Sequence, residues 1–249
     1  MAGKIRVGIG GWSYEPWRGL FYPEGLSQKR ELEYASRRLS SIEINGTYYS
    51  SFKPPSWIRW REETPDNFVF SVKASRFCTN RRELAGAADS ITKFASQGLA
   101  ELGDKLGPIN WQFMGTKRFD ESDMAAFLSL LPRDVGGRRL RHALEVRHAS
   151  FQDRRFYDLA RRHNAAIIFA DSEDYPGIDE PTADFVYARL MRTKKAVKTG
   201  YTSRELDAWA KRAQDWAKRG DVFVYFISGA KERAPAAAEA LMKLVSKKG

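Results

Sequence analysis

Eight short runs of apolar or alternating residues are spaced along the chain, and most segments between them have helical periodicity. A regular succession of strand and helix is typical of a parallel sheet, because each helix carries the chain back to the start of the next strand. Eight such units favour closure into a barrel over an open sheet. The sequence therefore predicts an α/β fold, a single (β/α)8 barrel of the TIM type. The predicted strands are residues 5–10, 41–45, 68–74, 108–113, 142–146, 166–171, 184–190 and 221–227.

The intervals between the predicted strands contain recognisable helix starts, marked by residues that cap or open helices. The interval after the sixth strand has a weak helical pattern, so we expect the barrel to be irregular at its sixth helix. The last helix is expected to end within residues 243–249. No linker-like stretch divides the chain, which predicts one domain over residues 1–249. The predicted helix starts are at Ser27, Pro55, Ser56, Asp153 and Thr202.

Composition restricts the classes of protein to which the chain can belong. With 43% hydrophobic and 13% aromatic residues, it is too apolar for a disordered tail. Its one cysteine, Cys78, cannot form a disulfide within the chain, and no apolar run reaches membrane-spanning length. We therefore expect a cytoplasmic protein with no membrane partner. The 42 Lys and Arg against 31 Asp and Glu give a formal charge of +11, which favours anionic partners such as phosphates or nucleic acid.

Alternation along the predicted strands indicates which side chains face the barrel axis. Successive strand residues point to opposite faces, so the residues between the apolar, helix-facing ones point inward. In the second strand, Ile42 and Ile44 face the helices and Glu43 faces the axis. The same pattern elsewhere places polar residues inside, towards the carboxyl ends of the strands, where barrels carry their active sites. The inward polar residues are Glu43, Asn45, Ser71, Lys73, Asn110, Gln112, Glu145, Arg147, Tyr187, Arg189 and Tyr225.

Charged residues in this set need a reason, because a barrel interior is normally filled by branched apolar side chains. Buried charges are costly unless paired, and perturbed charges in clefts cluster at functional sites. We interpret the set as a functional site, with structural ion pairs as the alternative. Three acids balance three bases, which favours a small anionic or polyol ligand over a metal cage. The six residues are Glu43, Lys73, Glu145, Arg147, Asp171 and Arg189.

The segment after the first strand, residues 10–25, is too long and too aromatic for a plain connector. Its rings can stack on sugars or bases, or the segment can fold over the barrel mouth as a lid. A hydrophobic plug packed on the end of the barrel is an equal alternative. Tyr48 and Tyr49, after the second strand, are expected beside this segment. Its aromatic residues are Trp12, Tyr14, Trp17, Phe21 and Tyr22.

The rim of the predicted barrel has segments of opposite charge. Residues 171–180 contain five acids and no base, whereas the loop after the seventh strand is basic. Barrels often bind phosphate at the loops after strands seven and eight, where a helix N-terminus offers free N–H groups. We predict an anion site there, with a solvated basic loop as the alternative. The residues concerned are Arg192, Lys194, Lys195, Lys198, Ser228 and Gly229.

Metal and nucleophile chemistry receives little support. The three histidines have no HxH or HExxH spacing, which argues against zinc. We expect no cofactor, although Mg²⁺ or Mn²⁺ held by Glu43, Glu145 and Asp171 stays open as an alternative. His148 is a candidate general base or a polar surface residue. Cys78 has no base partner that would make it a nucleophile.

Ordered blocks of the sequence carry a resemblance to a known family. GGWSYEPWRGLFYP, SIEINGTYY, FVFSVKASRF, LEVRHASF and FVYARL follow one another along the chain. They resemble the YecE-like family, known as domain of unknown function 72. The resemblance extends over nearly the whole chain. It implies a barrel related to xylose-isomerase-like folds and no established activity.

Most residues of the candidate site match the pattern of that family. The chain departs from the pattern at the rim, in FMGTKRF after Gln112, in RHASF, at Met191–Arg192 and at Ile227–Ser228. A relative's substrate therefore does not carry over on that side. The matching residues are Trp12, Tyr14, Trp17, Glu43, Asn45, Tyr48, Lys73, Gln112, Glu145, Arg147, His148, Asp171, Tyr187 and Arg189.

The leading hypothesis is an enzyme without a redox cofactor that acts on a small anionic or sugar-like compound, as an isomerase, lyase or hydrolase. Paired glutamates would supply acid/base chemistry while Lys and Arg hold ligand oxygens. Lys73 could alternatively form a Schiff base. The predicted catalytic residues are Glu43, Lys73, Glu145 and Asp171. The predicted substrate-binding residues are Trp12, Tyr14, Trp17, Asn45, Tyr48, Gln112, Arg147, His148, Tyr187 and Arg189.

The alternative hypothesis is a protein that binds or processes nucleic acid. In this case the basic surface would hold phosphates and the aromatic segment would stack bases. The acidic run at residues 171–180 weakens this hypothesis on one side of the mouth. The sequence does not predict an oligomeric state.

Overall fold

The computed structural model describes residues 2–246, and nine of the strands form one parallel sheet. Branched and aromatic residues dominate these strands, as expected for a sheet buried on both faces. Two further short strands, β5 and β6, form a separate antiparallel hairpin. The strands are β1 (Ile5–Gly10), β2 (Ser41–Ile44), β3 (Val69–Lys73), β4 (Leu106–Gln112), β5 (Asp134–Val135), β6 (Arg138–Arg139), β7 (His142–Glu145), β8 (Ala166–Ile167), β9 (Phe169–Asp171), β10 (Phe185–Leu190) and β11 (Asp221–Phe226).

The sheet runs around the barrel axis in the order β8-β7-β4-β3-β2-β1-β11-β10-β9. The first and last strands are neighbours, with Ile5 paired to Val222. The sixth predicted strand is split: β8 pairs with β7, and β9 pairs with β10. At the break, the Ile168 N–H still donates to the Leu144 carbonyl at 3.0 Å. This arrangement confirms the predicted barrel of the TIM type.

The helices lie between the strands as predicted. Asp153 caps α6 by accepting from the Arg155 N–H, and Thr202 forms a capping box with Glu205 at the start of α7. Ser27 makes no capping bond and precedes a short 3-10 turn instead. The helices are α1 (Glu31–Arg38), α2 (Pro54–Glu62), α3 (Arg76–Thr79), α4 (Ala88–Ala95), α5 (Glu121–Leu130), α6 (Arg154–Arg162), α7 (Ser203–Ala217) and α8 (Ala234–Ser246).

Irregular features occur where the helical pattern is weak. The described residues 172–184, between β9 and β10, contain no helix, in agreement with the predicted irregularity. The β5–β6 hairpin was not predicted; it turns at Gly136 and Gly137, whose φ values of 56° and 74° suit glycine. Helix α8 ends at Ser246, and the rest of the predicted 243–249 terminus lies outside the described residues.

None of the helices within residues 2–246 combines the length and the apolar character needed to cross a bilayer.

The predicted alternation of inward and outward side chains is found in the structure. Outward residues such as Ile42, Phe70 and Leu144 pack with the helices in one large apolar cluster. Inward residues, including Phe185 and Phe223 near the amino-terminal ends of their strands, form a second cluster around the axis. Aromatic rings therefore occupy the lower part of the barrel interior. The polar inward residues are left at the carboxyl ends of the strands.

The capping box predicts a measurable contribution to stability. Thr202→Ala removes its hydroxyl bond to the helix N-terminus, so we expect the free energy of unfolding to fall by about 1 kcal/mol. In a chain of this size the melting temperature should fall by about 2–4 °C. Urea and thermal denaturation measure both quantities. Ser27→Ala is the control, because Ser27 makes no capping bond, and equal losses in the two variants would contradict the assignment.

Candidate active site

Two buried carboxylates share one guanidinium inside the barrel. Glu43 of β2 and Glu145 of β7 are almost fully enclosed, as is Arg189 of β10. Arg189 Nη2 donates to Glu43 Oε1 at 3.0 Å, and Nη1 donates to Glu145 Oε2 at 2.5 Å. Because removing one partner would leave another buried charge unpaired, the three residues are stable only as a unit.

Asn110 and Tyr187 complete the surroundings of the two carboxylates. Asn110 Nδ2 donates to Glu43 Oε2 at 3.0 Å and to Glu145 Oε2 at 3.2 Å. The Tyr187 hydroxyl donates to Glu43 Oε2. Burial, with the Glu43 carboxylate beside it, raises the pKa of Tyr187 well above its ordinary value. The phenol therefore keeps its proton and holds Glu43 in place.

A second guanidinium connects this enclosed group to the barrel mouth. Arg147 Nε and Nη2 donate to Glu145 Oε1 at 2.9 and 2.6 Å, and Nη2 also donates to Gln112 Oε1 at 2.8 Å. The guanidinium lies 4.4 Å from the centroid of the Tyr175 ring. The Arg147 side chain is 21% exposed, so it is accessible to a ligand that enters the mouth.

Lys73, at the end of β3, is buried without a polar partner. In the described part of the chain, its Nζ has no carboxylate within 4.0 Å and no hydrogen-bond acceptor. The nearest defined contact is the face of the Tyr48 ring, whose centroid lies 4.3 Å away. Burial, together with the nearby Arg189 guanidinium, lowers the pKa of Lys73 to about 8. Lys73 is thus the member of the cluster best placed to exchange a proton near neutral pH.

The charges of the cluster at the carboxyl ends of the strands do not cancel. Two carboxylates, Glu43 and Glu145, stand against the three cations of Lys73, Arg147 and Arg189. Burial alone would raise the pKa of Glu145, but Arg189, Arg147 and Lys73 outweigh burial and lower it to about 2. Glu145 therefore stays ionised at neutral pH. The cluster has one surplus positive charge, which an anionic ligand would balance.

Three polar atoms of the inner wall are buried and have no hydrogen-bond partner within residues 2–246. They are Arg189 Nε, Asn110 Oδ1 and Asn45 Oδ1. Buried polar atoms in proteins are nearly always bonded, so these atoms are suited to bind a ligand or water. A hydroxyl group can satisfy both kinds of atom, because it donates and accepts. The wall is therefore compatible with a hydroxylated ligand.

Asp171 lies outside this cluster, which corrects the prediction that it joins the inward charges. The sixth strand is apolar on both faces, so the sequence did not fix its phase, and Asp171 shares the outward phase of Phe169. Its Oδ2 accepts a hydrogen bond from the Tyr201 hydroxyl at 2.8 Å. The predicted Mg²⁺ or Mn²⁺ ligands Glu43, Glu145 and Asp171 do not come together. No group of three His, Cys, Asp or Glu within residues 2–246 is placed to hold a metal ion.

The aromatic segment after β1 forms a packed plug, which is the alternative to the predicted ligand cover. Trp17 is fully buried, and its Nε1 donates to the Lys231 carbonyl at 2.9 Å. Tyr14 packs edge to face on Trp17 with 5.3 Å between ring centroids. Trp12 packs in the same way on Trp60 of α2, also at 5.3 Å. Trp17 is therefore part of the core, whereas Trp12 and Tyr14 are packed on one side and stay half-buried.

The remaining predicted binding residues differ in how accessible they are. Tyr48 faces Lys73 and accepts a hydrogen bond from Asn80 Nδ2 at 3.0 Å, so it belongs to the mouth. His148 caps the short 3-10 turn that follows β7, with its Nδ1 accepting from the Ser150 N–H at 3.1 Å. The capping bond uses Nδ1, so Nε2 is the ring nitrogen that stays available to a ligand. The Nδ1 atom of His148 therefore has a structural role, as the cap of this turn.

The predicted anion site at the basic rim is neutralised in part by acids. Arg192 lies 3.5 Å from both Asp171 and Glu173, and Lys194 lies 2.5 Å from Glu205. An open pocket of about 410 Å³ separates these loops. Its charge is mixed, whereas the inner cluster has a net positive charge. The predicted rim residues that line the pocket are Arg192, Lys194, Ser228 and Gly229.

A larger cavity, of about 850 Å³, lies at the opposite end of the barrel, between α5, the β5–β6 hairpin and the end of α6. Arg133, Arg139 and Arg162 line it, and within residues 2–246 none of them has a carboxylate within 4.0 Å. His142 forms part of its wall and is uncharged, because burial lowers the pKa of His142 to about 4. The cavity is basic, but it is remote from the inward cluster.

Sequence reasoning did not select two residues that matter to the site. Asn110 was predicted to face inward, as it does, but it was not named as a site residue, and it bonds to both carboxylates. Tyr175, which stacks on Arg147, lies in the irregular segment where no periodicity exists. Two exposed aromatic residues, Tyr49 (66%) and Phe77 (61%), also follow β2 and β3 on the mouth side. Tyr49 was placed there by the sequence, and Phe77 was not.

Comparisons of the sequence and of the structure with known proteins agree on one family. The family model described as "Protein of unknown function DUF72" matches residues 6–249. UPF0759 protein YecE of Escherichia coli K12 is 29% identical over 150 residues, which cover 59% of this chain and 50% of YecE. The match thus spans about half the length of that relative.

Solved structures are similar over the whole barrel. A DUF72 family protein from Thermotoga maritima superimposes with a TM-score of 0.79 at 23% identity, covering 98% of both chains. D-psicose 3-epimerase from Clostridium cellulolyticum H10 gives a TM-score of 0.53 at 14% identity, covering 97% of this chain and 96% of the epimerase. At these identities the likeness establishes a xylose-isomerase-like barrel fold and nothing about chemistry.

The lowered pKa of Glu145 predicts how stability depends on pH. Its folded pKa of about 2 lies below the ordinary 4.5, so its contribution is complete above about pH 5 and is lost as the pH falls towards 2. We expect Glu145→Gln to be less stable than the parent at pH 7 by about 3 kcal/mol. The difference in unfolding free energy between the variant and the parent should become smaller below pH 4.5.

Urea denaturation at pH 7, 5 and 3 tests this expectation. Glu62→Gln is the control, since Glu62 is 66% exposed on α2 and should show no such change. A difference between Glu145→Gln and the parent that stays constant with pH would contradict the pairing described above.

Proposed function

The chain belongs to the DUF72 family, and on that premise we propose that its barrel is an enzyme without a redox cofactor that acts on a small anionic or sugar-like compound. The observation that carries the proposal is the inward cluster, in which three cations face two locked carboxylates. A structural ion-pair network would be expected to balance its charges, because each unpaired buried charge is costly. The surplus cation therefore favours an anionic ligand.

The side chains nearest the mouth offer the contacts that such a ligand needs. Arg147 and Lys73 supply positive charge, and Gln112 supplies an amide. Arginine binds carboxylate or phosphate through two parallel hydrogen bonds, which fixes the orientation of the ligand. Arg189 Nε and Asn110 Oδ1 are enclosed and unpaired, so they would bind hydroxyl groups of a ligand that reaches below the mouth into the cluster. Together these groups match a compound that carries both an anionic group and hydroxyl groups.

The role proposed for Glu145 differs from the acid/base role expected from the sequence. Glu145 remains a carboxylate at neutral pH, so it positions Arg189 and Arg147 and does not act as a general acid. Lys73, with a pKa of about 8, is the better proton carrier. Proton transfer next to a carbonyl begins many isomerase and lyase reactions, and those two classes fit best. The sugar named for the epimerase neighbour agrees with a sugar-like substrate, by fold analogy alone.

A ligand screen tests the proposal directly. We expect oxo acids or sugar phosphates, screened by thermal shift, to raise the melting temperature of the protein. Arg147→Leu should weaken binding of the same compounds by about 10- to 100-fold, because charge-assisted hydrogen bonds are lost. Arg59→Ala, an exposed arginine of α2, is the matched control and should bind like the parent. No shift with any compound of the panel would overturn the proposal.

A second candidate function, nucleic-acid binding, is favoured by one observation. The cavity at the amino-terminal end of the barrel presents Arg133, Arg139 and Arg162 without carboxylate partners in the described part of the chain. Such arginines can bind successive phosphates. The buried aromatic plug removes the stacking platform on which this hypothesis also depended. Binding would therefore be electrostatic.

Salt dependence separates this second function from the first. Replacing Arg133, Arg139 and Arg162 by alanine should reduce the slope of log K against log salt by about 2–3 for single- or double-stranded DNA or RNA. Fluorescence anisotropy over a salt series measures the slope. Arg154→Ala is the control, because Arg154 is 92% exposed on a different part of the surface. Absence of binding above about 100 mM salt would exclude the function.

A further inference from the structure

The barrel contains two lysines that are each 8% exposed, and their surroundings differ. Lys105 Nζ donates to the carbonyls of Arg61 and Thr64, each at 2.6 Å, and to Thr64 Oγ1 at 3.2 Å. Three oxygen atoms thus satisfy its three donors. Lys73 Nζ has no such acceptor in residues 2–246. One of the two is a structural ammonium group, and the other is an available amine.

The groups around Lys73 explain why it stays unpaired. The nearest acids of the cluster, Glu43 and Glu145, already accept from Arg189, Asn110 and other donors. Tyr48 presents its ring face to Nζ, which attracts a cation but accepts no conventional hydrogen bond. Nζ is not among the fully enclosed unpaired atoms of the described chain, so it keeps contact with the mouth.

A lysine acts as a nucleophile only in its neutral form. Burial and the neighbouring Arg189 lower the pKa of Lys73 to about 8. Lys73 is then neutral in about a tenth of the protein molecules at pH 7, whereas an ordinary lysine is neutral in less than about a thousandth of them. Arg147 is partly exposed and near enough to contribute to the lowered pKa of Lys73, so it can hold an anionic group of the compound that Lys73 attacks.

We propose that Lys73 forms an imine with the carbonyl carbon of a small anionic substrate, either an oxo acid or a phosphorylated sugar. The proposal rests on the function proposed above and names its substrate class as carbonyl compounds. The neutral Nζ attacks the carbonyl carbon and forms a C–N bond, while the carbonyl electron pair moves to oxygen. That oxygen takes up protons and leaves as water, and Nζ loses its remaining protons as the C=N bond forms. The net reaction is amine plus carbonyl to imine plus water, and no redox partner is needed.

Borohydride trapping tests the imine, because hydride reduces it to a stable secondary amine. The intact protein is incubated with pyruvate or with dihydroxyacetone phosphate, reduced with sodium borohydride and mapped by peptide mass spectrometry. We expect one adduct, on the peptide that contains Lys73, and none on the Lys105 peptide of the same sample. The neutral fraction of Lys73 rises about 50-fold between pH 6 and pH 8 for a pKa of about 8, so trapping at Lys73 should increase by at least about tenfold over that range. The more reactive probe identifies the substrate as oxo acid or sugar phosphate.

Two variants of Lys73 show whether loss of the adduct results from loss of the amine or from loss of the fold. Lys73→Met and Lys73→Arg should both lose the adduct while melting cooperatively. An adduct that persists in either folded variant, or that is spread over surface lysines, would overturn the proposal. Failure of the imine is distinguishable from failure of the proposed function. If either probe raises the melting temperature and leaves no adduct, the imine alone is excluded. If no compound of the thermal-shift panel binds and neither probe reacts, the imine and the proposed function are both excluded.

Discussion

The interior of this barrel is organised by Arg189, which lies between Glu43 and Glu145 and bonds to both. Enclosed charges of this kind are tolerated only when each has a partner and its remaining hydrogen bonds are met. Tyr187 and Asn110 meet those of the carboxylates; Tyr187 comes from β10, the strand of Arg189, and Asn110 comes from β4. The positions of four strand ends are thereby tied to one guanidinium. The rest of the candidate site is built outward from that contact.

The interior has two layers because the two ends of the strands carry different residues. Towards the amino-terminal end, rings such as Phe185 and Phe223 occupy the axis. Towards the carboxyl end, charged and amide groups replace them. The apolar layer excludes water from below, which lowers the effective dielectric constant around the charges. This physical separation explains why Lys73 and Glu145 have pKa values shifted by burial and by one another.

The sequence predicted the barrel and most of the inward residues, because a strict period of two fixes the facing of every residue in a strand that is apolar on one side. Glu43, Glu145 and Arg189 follow this rule. The rule failed at Asp171, since the sixth strand is apolar on both faces and is broken at Ile168. It also could not tell a lid from a plug in the aromatic segment, because both need rings and glycines. Which cation lacks a partner depends on side-chain geometry that no periodicity encodes.

The pairing of β1 with both β2 and β11 has a consequence for how the chain reaches this structure. Val222 is the partner of Ile5, so the contact joins residues at nearly opposite ends of the described chain. Such distant contacts slow folding, because the entropy of closing a long loop must be lost before they form. Until β11 is available, one edge of β1 exposes unpaired backbone groups that another chain could bind. Pairing of β1 with β11 therefore both joins distant parts of the chain and covers an edge to which another chain could bind.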